Sequence, residues 1–236
     1  MDQDDLIAQF RAQVGDEAVP YLWAYEEVQQ YVIDAQDMFA RLTGGIADVT
    51  VPLADIGSPQ TRLQDLDLVI GEPYTALSPY ILRFIGGRLL TAKWDITFAN
   101  QADLRTMRWN DYGWNFGAQL DDTETGDARY ALLGIRDHYV RWMKVPNATD
   151  TCRLQFRRLP YPRIAVSDDA LEIDEEHHFH LIKWMKTLAY AKEDSETYDK
   201  RLSELNEASF RAYCNQARQE NDGRRFRHRV VQYGGL

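Results

Sequence analysis

The stretch Tyr25-Glu-Glu-Val-Gln-Gln-Tyr-Val-Ile-Asp-Ala-Gln-Asp-Met-Phe-Ala-Arg-Leu-Thr-Gly-Gly-Ile-Ala-Asp-Val-Thr-Val-Pro-Leu53 holds the transition that decides the fold. Its first part reads as a helix from about Tyr25 to Leu42. Val28, Tyr31, Val32, Ala35, Met38, Phe39 and Leu42 recur at steps of three and four, and Gly44-Gly45 stops the chain. From Ala47 the pattern changes to short β-branched and aromatic runs. Upstream, Asp2, Asp4 and Asp5 place negative charge at a helix start, where the dipole favours it. Leu6, Ile7, Phe10 and Val14 give that first helix one apolar stripe, and Gly15 with Pro20 ends it.

Between Ala47 and about Arg163, runs rich in Val, Ile, Thr, Phe, Tyr and Trp alternate with Gly, Pro, Asn and Asp. The expected strands are Val49–Leu53, Leu66–Ile70, Ile81–Ile85, Arg88–Leu90, Trp94–Phe98, Ala128–Ile135, His138–Lys144 and Thr151–Arg158. Gly86-Gly87 reads as a turn, and the last two strands flank Pro146-Asn147 as a hairpin. Gln101–Met107, capped by Asn100, reads as a short helical turn. Such spacing predicts an antiparallel β-sandwich or barrel-like module.

Helices return at Asp174-Glu175-Glu176, which opens a segment reaching Lys192. Phe179, Leu181, Ile182, Trp184, Met185, Leu188 and Ala189 cover so much of its circumference that it should be largely buried. A last helix, capped by Asp194, carries the stripe Tyr198, Leu202, Leu205, Ser209, Ala212 and Tyr213, with Glu196 and Lys200 spaced for a surface ion pair. Phe210 and Cys214 fall off that stripe, packing under the β-module or against another subunit. The fold class is therefore α+β: a helical bundle with an inserted β-module and an extended C-terminal arm. The segments are 1–46, 47–165, 166–221 and 222–236.

The 236 residues suffice for a full core, and 44% hydrophobic with 27% charged content is ordinary for a globular chain. No apolar run is long enough to cross a bilayer, and the N-terminal residues lack signal-peptide character, so synthesis in a cytosol-like compartment with no membrane association is expected. Cys152 and Cys214 are isolated and read as reduced packing residues. A net charge of −10 argues against general nucleic-acid binding, because most of the surface would repel phosphates.

Motifs for chemistry are nearly missing. His177, His178 and His180 open the third helix. The pair His177/His180, or Glu176 with His180, has ligand spacing, but exposed polar residues on a first turn explain them better. The acidic clusters Asp2/Asp4/Asp5, Asp121/Asp122/Glu124, Asp168/Asp169 and Asp174–Glu176 read as solvated turns or helix starts. No nucleophile elbow, phosphate loop or His-Glu-x-x-His occurs, so no enzyme, cofactor or metal is expected. Trp94, Trp109, Tyr112, Trp114, Phe116, Tyr130, Tyr139 and Trp142 read as core and hairpin packing, or as a platform for carbohydrate. Arg136, Arg141, Lys144, Arg153, Arg157 and Arg158 read as the wet face of the hairpin, or as a charge match between subunits.

The C-terminal stretch Gly223-Arg-Arg-Phe-Arg-His-Arg-Val-Val-Gln-Tyr-Gly-Gly-Leu236 has four arginines and no acid, on an otherwise acidic body. Phe226, Val230, Val231 and Tyr233 interleave with Arg224, Arg225, Arg227 and Arg229, as in a segment that orders on a partner.

Three pieces together resemble a known family: Tyr21-Leu-Trp-Ala-Tyr-Glu-Glu-Val28 through Phe39-Ala-Arg-Leu-Thr-Gly-Gly-Ile46; Pro73-Tyr-Thr-Ala-Leu-Ser-Pro-Tyr-Ile-Leu-Arg83; and Leu171-Glu-Ile-Asp-Glu-Glu-His177 leading into Leu188-Ala-Tyr-Ala-Lys-Glu-Asp-Ser-Glu-Thr-Tyr198. They are similar to the head-to-tail adaptors of tailed bacteriophages, particularly the short-tailed kind. Ala24-Tyr25 departs from the family's usual Ser or Asp cap, and Asp174 stands where a proline is common. The resemblance implies a structural virion protein of the head–tail neck, made in the host cytoplasm. It also implies a homo-oligomeric ring, typically of twelve copies, with the arm inserted into the portal protein and a tail nozzle or tube on the other face. Double-stranded DNA would pass through the ring, past a like-charged body that does not hold it. The alternative reading is a non-catalytic β-sandwich carbohydrate-binding module on a helical platform.

Overall fold

The computed structural model describes residues 1–56, 62–100, 122–161, 171–193 and 197–225. The chain is α+β and divides into two compact units. One is discontinuous, Met1–Ile46 with Leu159–Leu236; the other is Ala47–Arg158.

The discontinuous unit holds four described helices: α1 (Gln3–Val14), α2 (Tyr25–Thr43), α3 (Glu175–Ala191) and α4 (Lys200–Arg225). Asp2 and Asp5 form a reciprocal capping box that satisfies free amides of the first turn of α1, and Gly15 ends the helix in the left-handed region at φ 74°. Ala24 gives α2 no side-chain cap, and Gly44 ends it at φ 91°. Leu6, Ile7 and Phe10 of α1, Val28, Val32, Ala35 and Phe39 of α2, and Leu181, Ile182, Met185 and Ala189 of α3 enter one buried cluster. Phe210, Cys214 and Ala217 of α4 complete it.

Two expectations for these helices are corrected. The face that α4 buries is Ser203, Phe210, Cys214 and Ala217, whereas Leu202, Leu205 and the preceding Tyr198 are exposed. Its small side chains let α4 approach α3 closely enough for Ser203 Oγ to donate to Thr187 O at 2.9 Å. Burying Phe210 is worth roughly 1.5–3 kcal/mol, more than the exposed leucines gain from partial cover. In α3, Phe179 is exposed, while His177 and His178 are buried rather than solvated. The proposed Asp194 cap and Glu196–Lys200 pair lie outside the described residues. Lys200 itself is described, and its Nζ stands 3.9 Å from Glu204.

The inserted unit is built on a curled mixed sheet. Its strands are β1 (Ile46–Val49), β2 (Leu66–Leu68), β3 (Tyr74–Ala76), β4 (Ile81–Leu89), β5 (Asp95–Asn100), β7 (Tyr130–Leu133), β8 (Tyr139–Trp142) and β10 (Asp150–Arg158). The order is β1-β10-β4-β5-β7-β8-β3, with β2 also on β10. A separate pair joins β6 (Thr125–Gly126) to β9 (Val145–Pro146) in parallel. The helical turn expected over Gln101–Met107 lies outside the described residues.

The all-antiparallel expectation is overturned where β5 and β7 run parallel, Thr97 opposite Tyr130. The long connection between them supplies the crossover that a parallel neighbour needs. The expected hairpin at Pro146-Asn147 does not form. β8 pairs with β7 and β3, β10 pairs with β4 and β2, and Val145–Pro146 between them is taken by β6. Leu53 lies in a short 3-10 turn rather than a strand, and β3 was not foreseen.

Gly86-Gly87 is no turn, because both lie inside β4. A Cβ on Gly87 would stand 3.0 Å from Phe98 and 3.1 Å from Leu154, so glycine lets the neighbouring side chains close over the strand. The actual turn is Leu90–Trp94, with Leu89 N donating to Trp94 O at 3.0 Å. Two register shifts against β10 leave Ile85 and Leu82 as the extra residues of bulges, and both side chains are exposed.

Candidate docking site

The sequence places its docking residues after Asp222. Arg224 and Arg225 belong to the last turn of α4, so the arm read as extended begins in helical backbone. Phe226, Arg227, Arg229, Val230, Val231 and Tyr233 lie outside the described residues. No contact among the eight therefore enters the geometry.

The cations read as a wet face divide: Arg136 is exposed, and Lys144 and Arg153 are partly open to solvent. Arg141, Arg157 and Arg158 are buried. Arg141 donates to Asp122 Oδ1 and to Trp142 O, and Arg158 Nε to Asp48 Oδ2 at 2.6 Å. Arg153 forks onto buried Asp65 through Nη2 at 2.9 Å and Nε at 3.3 Å. Thr50 donates to the same carboxylate at 2.6 Å and accepts from Leu154 N at 2.8 Å, locking the loop before β2 onto β10. Arg141, Arg153 and Arg158 thus meet carboxylates of their own chain. Trp142 is fully buried, its indole N–H donating to Thr75 Oγ1 at 2.9 Å. Trp109, Tyr112, Trp114 and Phe116 lie outside the described residues.

The histidines of α3 are packing groups. His178 Nε2 lies 2.7 Å from Ile173 O, and His177 Nδ1 lies 2.8 Å from the Tyr213 hydroxyl while its ring packs at a tilt against Phe39. His180 stacks on Tyr213. Burial, with Lys183 and His177 nearby, holds its imidazole below the usual histidine value. Among the described residues, the grouping with ligand atoms close enough to share an ion is Asp174, Glu176 and His177, within 4.8 Å of one another. The foreseen His177/His180 and Glu176/His180 pairs are not that grouping. Two carboxylates at a helix start already answer the dipole. The thiols of Cys152 and Cys214 are each pushed up to about 12, first of all by burial, and are chemically quiet.

Two surfaces missed by sequence reasoning stand out. The first is the loop between α1 and α2. Buried Arg11 pairs with buried Asp16 and donates to Trp23 O at 3.0 Å, and Asp16 Oδ1 accepts from Leu22 N at 2.7 Å. Trp23 anchors the loop inward, and the Arg11 guanidinium lies 3.9 Å from the Tyr21 ring centroid. With its base so fixed, the loop turns Val19, Tyr21 and Leu22 outward at 78, 47 and 54% exposure. The run Asp16-Glu-Ala-Val-Pro-Tyr-Leu22, acids followed by large apolar residues between two helices, was the available signal. The second surface is a groove of about 610 Å³ across β1, β10, β4 and β5, lined by Val49, Gly86, Arg88, Leu90, Ile96 and Arg153 among others. Bulges and strand glycines were its signal, read instead as a turn.

Among the described residues, no helix is long and apolar enough to cross a membrane. A search of curated proteins found none that matches the chain. The family model described as SU10 adaptor protein matches residues 1–232, nearly the whole length and both units. The chain thus belongs to the SU10 adaptor protein family, a phage head-to-tail adaptor family.

Proposed function

We propose that the chain is a ring-forming adaptor that docks on the portal protein through residues 222–236 and receives a tail nozzle or tube protein on its other side. The observation that carries this reading is the family match, which runs to residue 232 and so takes in most of the basic C-terminal stretch. The helices act as a bundle that supports the arm, and α4 delivers its cations at the helix end. Twelve copies would enclose a channel for double-stranded DNA, whose phosphates are repelled by a chain of net charge −10. The arm grips by arginine–carboxylate pairing, with Phe226, Val230, Val231 and Tyr233 entering apolar pockets of the portal.

Ending the chain after Asp222 removes all eight predicted docking residues and only the last turn of α4. The shortened protein should keep the thermal unfolding of the full chain but fail to co-sediment with purified portal. Replacing Arg224, Arg225, Arg227 and Arg229 by alanine should weaken portal binding by roughly tenfold or more, about 1.4 kcal/mol. Undiminished portal binding by the shortened chain would remove the reading.

A further inference from the structure

Three of the protein's five histidines fall at the start of α3. Among the described residues, the Nδ1 atoms of His178 and His180 are buried and have no hydrogen-bond partner. The neighbour of His178 Nε2, 2.7 Å away, is the carbonyl of Ile173, which only accepts. Nε2 therefore carries the ring's hydrogen, and the neutral ring leaves Nδ1 bare. A proton added there makes a buried N–H that nothing receives. His180 lies face to face with Tyr213 of α4, and Lys183, one turn on, donates to Ser209 Oγ of α4 at 2.9 Å.

The charges around these rings come from several elements. On α3, Glu176 Oε1 stands 3.5 Å from His177 Nε2 and favours charge on that ring, so His177 is left out. Glu175 acts on His178, but it is 80% exposed and holds the Met1 amine at 3.0 Å. His180 has Lys183 and His177 as its charged neighbours, at the positive end of the α3 dipole. From α4 comes Tyr213, whose hydroxyl is pushed up by burial and then by Glu176 and Glu220, and so stays neutral. From α2 comes the ring of Phe39 beside His177. A charged imidazole gains something from the Tyr213 face. Burial, Lys183 and His177 outweigh that gain and hold His180 below the usual histidine value.

We propose that His178 and His180 form an acid-sensitive latch at the start of α3: protons taken up there loosen α3 and the part of α4 around Tyr213, while the sheet of the inserted unit holds. As pH falls below about 6.5, a histidine of the unfolded chain charges first. A ring kept neutral by the fold contributes fully above that pH, and progressively less as pH falls toward its folded value. Ordinary carboxylates titrate lower, the Met1 amine is raised by Glu175 and stays charged, and the buried thiols stay protonated. Between about pH 5.5 and 7.5 the histidines are thus the side chains that change. His138, the described histidine of the inserted unit, is exposed.

Amide hydrogen exchange read by mass spectrometry, corrected for its intrinsic pH dependence, tests this on the full chain at about pH 7.5 and about pH 5.5. Segments 175–182 and 207–220 should lose roughly tenfold in protection at the lower pH, the effect of one suppressed ring a unit below its free value. Segment 150–158 of the sheet should change little. In a chain carrying His178→Gln and His180→Phe, the loss should shrink to about twofold or less. Gln keeps an N–H for Ile173 O, Phe keeps the stack on Tyr213, and neither takes a proton. His180→Phe alone serves if the double variant does not fold, and should leave a loss of about threefold. The proposal is overturned if the unaltered chain protects 175–182 equally at both pH values. It is equally overturned if the substituted chain loses as much as the unaltered one, or if 150–158 loses as much as the helices. None of these readouts depends on portal docking.

Discussion

At Gly87 a single hydrogen decides how closely three strands pack. A methyl group there would press on Phe98 and Leu154, each about 3 Å from the new carbon. Gly87→Ala should therefore lower stability by about 1–3 kcal/mol in urea titration, as overpacked cores do. Gly86→Ala, with nothing nearer than 3.9 Å, should be neutral or stabilising in the same titration. The contrast also shows why single residues were hard to read in advance. A Gly-Gly pair has the composition of a turn, and only the neighbours across the sheet show that one member is a packing glycine. His177 is a similar case. Following three acids it looks like a solvated first turn, yet Phe39 and Tyr213, distant in sequence, enclose its ring.

Among the elements, the β4–β5 turn is tied to β10 by one carboxylate. Asp150 accepts from Thr91 N and Ala92 N, both at 2.9 Å, and from Thr151 N at 2.7 Å. Burial pushes this carboxyl up, but the three amides outweigh burial and hold it below the usual aspartate value. A group with a depressed folded pKa stabilises above its unfolded pKa and loses that contribution as pH falls through the folded one. Asp150→Asn should thus cost about 1 kcal/mol at neutral pH, at the low end for bonds to a charged group because the site is open to water. The difference from the unaltered chain should shrink as melts are repeated below pH 4, the ordinary carboxylate range. Helices were more legible than strands at this scale. α1 and α2 carry their stripes and stops locally, whereas the choice between the two faces of α4 depends on the closeness of α3, which periodicity does not contain. Strand neighbours depend on the long connection after Asn100 and on the competition of β6 for Val145–Pro146.

For the whole molecule, the order helices, β-rich segment, helices was readable because composition changes sharply near Ala47 and again near Asp174. Sheet type was not, since a parallel neighbour leaves no mark in a short strand. The family was readable from three scaffold stretches, one of them within the β-rich segment, whereas the loop and groove were not, because exposure of an apolar side chain is a fact of packing. The discontinuous unit has one more consequence, for synthesis. A ribosome finishes Arg158, the last residue of the inserted unit, before any of α3 or α4 has been made. During that interval Leu6, Phe10, Trp23 and Phe39 lack the later helices that complete their core. Brief protease treatment of ribosome-bound chains stalled once Arg158 has left the exit tunnel should cut within the first 46 residues and spare the sheet, while released full-length protein resists at both places. The sheet is then the first part of the newborn chain to become durable, and the oldest residues are the last to find shelter.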